Sequence, residues 1–190
     1  ELVLHAPLSV QSEMTACTAV LALSEDLKPQ LLDMGICEVL LPLTDSPSIE
    51  VQGNSAAALG NLSSKADDYA PFNAVWDKPA GGLHGYLVRF LESEDTTFQH
   101  IAVWTLIQLL ESGNHELEQH IRDSPHLLDL VRQLQSRIGT FESEHEQADT
   151  STAADTSGQD VSPEREIAAL SRRIEEILFE ESDDGTSDAK

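Results

Sequence analysis

Basic side chains are scarce in this sequence, with Lys+Arg numbering 11 against 34 Asp+Glu for a formal net charge of -23 over 190 residues. The deficit is shared along the chain: residues 1–138 hold 7 basic against 19 acidic side chains, and the last 52 residues hold 4 against 15. A chain this acidic repels phosphate backbones, which disfavours nucleic acid as a direct partner and leaves basic peptides or domains allowed. Cysteine is nearly absent. Cys17 and Cys37 both fall inside apolar helical patterns, as expected of buried free thiols in a reducing compartment and not of a disulfide framework. No apolar run approaches the roughly 18–20 residues that a membrane-spanning helix needs, and no signal peptide is visible.

Catalytic constellations are missing as well. His115 and His120 in HELEQH resemble a zinc-protease motif, but their spacing of five places the rings about 140° apart on a helix, where the motif needs i and i+4. They read as surface histidines. Gly81, Gly82 and Gly85 lack a preceding strand and a following GK[ST], so they do not form a phosphate cradle. Cys17, the one candidate nucleophile, has only Ala, Thr and Val around it and no base. Asn61-Leu62-Ser63 is formally a glycosylation sequon, but it lies within a helical pattern. No catalytic residue, metal ligand or cofactor is therefore assigned, and the chain is expected not to be an enzyme.

What the chain does have is one stretch and its copies. In Val51–Ser63, VQGNSAAALGNLS, the residues Val51, Ser55, Ala58, Leu59 and Leu62 form one small apolar face of a helix, with Ser48 as a plausible N-cap. Asn54, Ala57 and Asn61 form a second row beside it, which predicts amides pointing off the packed surface. Shifting back 39 positions lays Ser55–Ala58 over Ala16–Ala19, and shifting forward 47 lays Val51–Gln52 over Phe98–Gln99, Leu59 over Leu106 and Leu62 over Leu109. Gly35 and Gly82 each open an apolar helix. The unit is helix, Gly turn, helix, turn, helix, with a period near forty residues, the period of three-helix armadillo units. The expected fold is an all-α, right-handed armadillo solenoid of about three repeats over residues 1–138, with Leu59, Leu62, Leu106 and Leu109 buried. By the 39-residue offset the chain opens in the last turn of a second helix, so it is expected to be the C-terminal part of a longer solenoid.

Along the chain, residues 8–25 read as a third helix, and Lys28–Met34, Ile36–Leu43 and Ser48–Ser64 as one complete repeat. The following repeat carries an excess of eight residues in DDYAPFNAVWDKPAGG, where Pro71, Pro79, Gly81 and Gly82 forbid one continuous helix. Its aromatics Tyr69, Phe72 and Trp76 either fill the gap the insertion makes, the favoured reading, or leave Trp76 on a projecting binding loop. Thr96–Leu110 is the most apolar third helix. HELEQHIRD and PHLLDLVRQLQSRI follow, and no third helix comes directly after them.

Residues 139–162 are Glu, Asp, Ser, Thr, Ala, Gln and Gly with little that is bulky and apolar, which predicts a disordered acidic linker. Ser162-Pro163 opens a tail helix over 163–180 whose seam is Ile167, Leu170, Ile174 and Ile177, and residues 181–190 form a disordered acidic end. That helix has three readings: a cap on the solenoid in cis, a ligand for another protein in trans, or a transient helix. The acidic tether favours the last two.

By the offsets, the row Asn54, Ala57 and Asn61 continues as Thr15, Thr18 and Ala22 on one side and Ile101, Trp104 and Gln108 on the other. Stacked third helices would line a groove suited to an extended peptide, whose backbone needs amide partners. Trp104 is alternatively a core residue.

The unit VQGNSAAALGNLSS followed by DYAPFNAVWDKPAGGLHGYLVRFLESEDTTFQHIAVWTLIQLLES resembles the last repeats of the fungal vacuolar protein 8 family, over residues 1 to about 138. The resemblance implies an armadillo adaptor on the cytosolic face of the vacuole. Its implied protein partners are a myosin receptor in vacuole inheritance, a nuclear-envelope tether in nucleus–vacuole junctions, and an autophagy-initiation regulator. It also implies a membrane anchor through N-terminal myristoylation and palmitoylation, for which this sequence has no N-terminal glycine or lipidation cysteines; the chain alone is expected to be soluble in the cytosol. The rival is a nuclear-import armadillo receptor, whose groove repeats Trp and Asn at i and i+4. Here Trp104 is paired with Gln108 and Asn61 with Ala57.

Overall fold

The structure is a computed structural model that describes residues 2–78, 81–145 and 162–180, with side chains described for 3–78, 81–136 and 162–179. A 3-10 turn, Leu2–His5, leads into ten α-helices among the described residues: α1 (Leu8–Leu21), α2 (Lys28–Asp33), α3 (Ile36–Leu43), α4 (Ile49–Ser63), α5 (Ala70–Ala74), α6 (Gly82–Glu92), α7 (Thr96–Leu110), α8 (His115–Arg122), α9 (Pro125–His145) and α10 (Pro163–Glu180). No strand occurs among them. The fold is the expected all-α armadillo array.

Short polar residues start the long helices by satisfying backbone N–H groups that the first turn leaves unpaired. Ser48 Oγ accepts from Val51 N at 3.4 Å, Asp95 Oδ1 from Thr97 N at 2.8 Å, and Asn114 Oδ1 from Leu117 N at 3.0 Å. Gly35, with φ 72°, supplies the left-handed turn into α3. Gly82 is held closer still, since a Cβ there would lie 2.4 Å from the Val75 carbonyl oxygen. Lys28 is buried and donates to the Ser64 carbonyl at the C-terminal end of α4, the end of a helix that favours a cation. Burial pushes its pKa down.

α1, α4, α7 and α10 form one parallel stack. Asn54 meets Ser12 and Asn61 meets Ala19 across α4 and α1; Gly53 faces Phe98 and Gly60 faces Trp104 across α4 and α7. Glu166 sits 3.3 Å from His100, and Arg173 lies 3.5 Å from Glu111. In each pair the N-terminal halves and the C-terminal halves meet, so the four helices run in one direction. The second helices α3, α6 and α9 lie alongside, and Leu59, Leu62, Leu106 and Leu109 between the layers are fully buried, as the repeat predicts.

The insertion folds inward. Phe72 is completely buried and Trp76 is 2% exposed, with the Trp76 ring stacked on His120 at a centroid distance of 5.2 Å. Trp76 is therefore core, the alternative of a loop contact falls, and His120 is a half-buried stacking partner, not a surface histidine. The physical cause is packing: Phe72, Val75 and Trp76 of the insertion all bury their side chains in the core.

The C-terminal region departs most from expectation. α9 continues to His145, seven residues into the stretch read as linker; residues 146–161 and 181–190 lie outside the described residues. α10 then packs on α7 and α9 in cis. It takes the third-helix position of the last repeat, so the trans and transient readings are corrected. Its buried line is Ile167, Ser171, Ile174 and Leu178, whereas Leu170 and Ile177 of the expected seam are only half-buried. Both lines follow helical spacing; contact with two helices at once, α7 and α9, rotates the helix toward the second. Arg122 of α8 donates to the Leu178 carbonyl, and Arg132 of α9 lies 3.4 Å from Glu175. These bonds hold the far end of α10.

The two cysteines differ in environment. Cys17 is exposed, against expectation, because it lies on the flank of α1 turned away from α4; Cys37 is 2% exposed, and burial raises its pKa from 9.0 to about 12. A thiol reagent at neutral pH should therefore modify one cysteine per folded chain, and the second only in denaturant; rapid labelling of both would contradict the burial of Cys37. Since the raised value favours the protonated folded form, its contribution to stability is full below pH 9.0 and declines toward pH 12.

Candidate peptide-binding groove

The register of the third helices follows from where they start and from one repeated glutamine. α1, α4 and α7 begin at Leu8, Ile49 and Thr96, offsets of 41 and 47 residues. Gln11, Gln52 and Gln99 obey the same offsets. Each reaches back to a carbonyl of the preceding connection: Gln11 to Ala6 at 3.1 Å, Gln52 to Ser46 at 2.5 Å and Gln99 to Ser93, with a longer bond of 3.4 Å to Leu91 in the last turn of α6. A side-chain amide at this position closes a backbone acceptor that the turn leaves open. The signal was in the sequence, in Val10-Gln11 and Val51-Gln52, and an offset of 39 passes over it.

With an offset of 41, the row Asn54, Ala57 and Asn61 continues on α1 as Glu13, Ala16 and Val20. Thr15 is instead buried, its hydroxyl donating to the Gln11 carbonyl at 2.8 Å within its own helix. Thr18 is half-buried and likewise bonds back, to Met14 at 2.8 Å. Asn54, Ala57, Asn61, Ile101, Trp104 and Gln108 are all half-buried. They form a surface of two rungs that water reaches.

The asparagines do not point freely into solvent. Asn61 Nδ2 donates to the Ala19 carbonyl at 2.9 Å and Asn54 Nδ2 to the Ser12 carbonyl at 3.4 Å, so both amides tie α4 to α1. Small residues on α1 let the backbones come close enough for this. Asn61→Ala should accordingly cost about 0.5–1.5 kcal/mol of stability, the scale of one net hydrogen bond. Urea denaturation would measure it, and an unchanged midpoint would contradict the bond's role.

Trp104 owes its place to Gly60. A Cβ built on Gly60 would stand 2.6 Å from Trp104 Cζ3 and 2.9 Å from Thr105 Oγ1, so glycine there opens the slot in which the indole lies. The ring is half-buried, with its Cζ3 and Cε3 atoms against α4 at Gly60. Gly60→Ala should push the indole outward. Its gain in helix propensity, about 1 kcal/mol, is opposed by about 1–3 kcal/mol of overpacking. The expected result is tryptophan emission shifted to longer wavelength with stability unchanged or lower; emission identical to the parent would show that the slot has slack.

Among the described residues no group of three or more His, Cys, Asp or Glu is placed to hold a metal ion. No helix among them is long and apolar enough to cross a membrane. What the groove presents is amides, a methyl floor and an aromatic edge.

Residues 24–64 match the armadillo/beta-catenin-like repeat family, the segment that contains α2, α3 and α4. The chain is an armadillo-repeat protein. It is 64% identical over 136 residues to vacuolar protein 8 of Schizosaccharomyces pombe, covering 72% of this chain and 25% of that one. Vacuolar protein 8 of Aspergillus oryzae is 53% identical over 178 residues, 94% of this chain and 28% of its own; that of Saccharomyces cerevisiae is 46% identical over 134 residues, 70% and 23%. Within the armadillo proteins the chain thus belongs to the vacuolar protein 8 family, and it spans about a quarter of the length of these relatives. A match of 178 residues in a chain of 190 has to run into α10.

Proposed function

We propose that this chain is the part of a vacuole-associated armadillo adaptor that holds extended peptide segments of partner proteins against its third helices, on the cytosolic face of the vacuole membrane. The observation that carries the reading is the pair of rungs Asn54–Ala57–Asn61 and Ile101–Trp104–Gln108, half-buried and adjacent on parallel helices. Carbonyl and amide groups there can meet a peptide backbone at about one residue per bond, and the Trp104 edge over Gly60 gives one side chain a contact. The partner classes that fit the family are a membrane tether, a myosin receptor and an autophagy-initiation regulator, and attachment to membrane is through an N-terminal lipid anchor. A nuclear-import receptor reading has the acidic charge of -23 in its favour but lacks the tryptophan–asparagine pairing in either rung.

An array of peptides, half basic import signals and half segments of vacuole-tether type, tests both. The adaptor reading expects tether segments to bind and to weaken about tenfold with Trp104→Ala, the scale of losing one buried aromatic contact. Preference for basic signals, or binding indifferent to Trp104, contradicts it.

A further inference from the structure

The docking of α10 adds a rung to the groove. Its buried residues Ile167, Ala168, Ser171 and Ile174 lie 65 positions beyond Ala102, Val103, Leu106 and Leu109 of α7, and all eight are buried. A single register therefore relates the two helices. It sets Glu166, Ala169 and Arg173, all exposed, at the positions that Ile101, Trp104 and Gln108 hold on α7. The groove does not stop at α7.

We infer that α10 forms the fourth rung of the peptide groove and that Arg173 receives there a carboxylate of the bound peptide. The inference rests on the groove reading and deepens it by naming a chemical feature of the partner. The two inner rungs, Asn54–Ala57–Asn61 and Ile101–Trp104–Gln108, are uncharged. On α1 the corresponding residues are Glu13, Ala16 and Val20, so Arg173 is the one cation in these rows among the described residues. Its present carboxylate neighbours hold it loosely: Glu111 and Glu176 each stand 3.5 Å away, and the side chain is 48% exposed. Charge-assisted bonds close to about 2.7–2.9 Å when geometry allows, and a bidentate carboxylate entering along the groove meets a guanidinium built for that shape. Glu13 on α1 and Glu166 on α10 itself, seven positions or about 10 Å before Arg173, repel the same group, which fixes the preference: an acidic residue of the peptide over the C-terminal half of α10, beside Arg173.

Two consequences are distinctive. A ligand that uses Arg173 contacts α10 as well as α7, so binding and docking of α10 reinforce each other. A chain of net charge -23 would moreover select an acidic feature at one place, against its overall field.

The test is a phage-displayed library of random twelve-residue peptides panned on the full chain, with the enriched peptides measured by fluorescence anisotropy against Arg173→Glu, Arg172→Glu and Trp104→Ala. Arg172 is exposed one position off the row, so it carries the same charge change without the contact. The inference expects peptides with an Asp or Glu whose affinity falls roughly tenfold or more with Arg173→Glu and stays within about twofold with Arg172→Glu. Equal losses in both arginine variants would mean a diffuse field and overturn it. Peptides that lose affinity with Trp104→Ala yet ignore Arg173→Glu would overturn the fourth rung and leave the groove standing. If no enriched peptide responds to Trp104→Ala, the groove reading itself fails, and the inference with it. Circular dichroism melts of each variant, matching the parent, exclude loss of α10 as the cause.

Discussion

A chain ended at His145 should melt roughly 6–12 °C below the full chain. α10 buries Ile167, Ile174 and Leu178 almost completely against α7 and α9. A net loss of about 3 kcal/mol, within the range for losing one buried aliphatic side chain's packing, gives the stated fall at about 2–4 °C per kcal/mol for a chain of this size. The loss has a second part: α7 would be left with an apolar flank in water, and a solenoid end needs a polar outer side. Ile174→Asp in the full chain is the companion experiment, since a carboxylate at a position with no exposure undocks the helix without shortening the chain. A melting temperature unchanged by both would show that α10 adds nothing to the array.

Leu59→Ala should lower stability by about 2–5 kcal/mol, the range for deleting a buried leucine when the surroundings cannot close the cavity. Leu59 has no exposure and sits in α4, the helix that touches α1, α3 and α7. In an array whose stability is a sum of neighbouring interfaces, damage to a central helix weakens both of its contacts, whereas damage at an end weakens one. Marginal stability makes such a loss visible. Urea titration should show a lower midpoint with an unchanged slope; a change under 1 kcal/mol would mean that the cavity collapses and that the helices slide more freely than close packing permits.

Much of this architecture was legible in the sequence because it is repetitive. Pro47-Ser48 before an apolar run, the glycines at 35 and 82, and the small face of Val51–Ser63 each specify a local shape, and agreement among copies turned local shapes into a stack. The register on α1 was not legible from an offset of 39, which also lays Leu62-Ser63 over Leu23-Ser24, residues beyond the end of a helix that stops at Leu21. That error of two positions rotated the assigned face by about 200° and put Thr15 on the groove when it belongs to the seam. The glutamine row carries the right register because its side chains do the same task at the start of α1, α4 and α7.

Trp104 and Asn61 were recognised as residues of interest, but what each touches depends on a neighbour far along the chain. Gly60 is a helix-weakening residue read alone, and only the indole 44 positions later explains it. Asn61 reads as a solvent-facing amide until the Ala19 carbonyl is seen 42 positions earlier. For α10 the amphipathic pattern and the N-cap were clear. Its acceptor was not, because the intervening residues are acidic and polar and no periodicity links the helix to α9. Local composition described a tether; the apolar flank of α7 supplied the reason to dock.

The central claim is that four third helices stand side by side and that α10 is the last of them. Hydrogen exchange of the full chain, read segment by segment, tests it most directly. The account predicts that amides of residues 167–178 in α10 exchange slowly, with protection close to that of Ala102–Leu110 in α7, and that protection in α7 falls when the chain is cut at His145. Exchange of residues 167–178 at the rate of an unstructured peptide, with α7 unaffected by the cut, would contradict it.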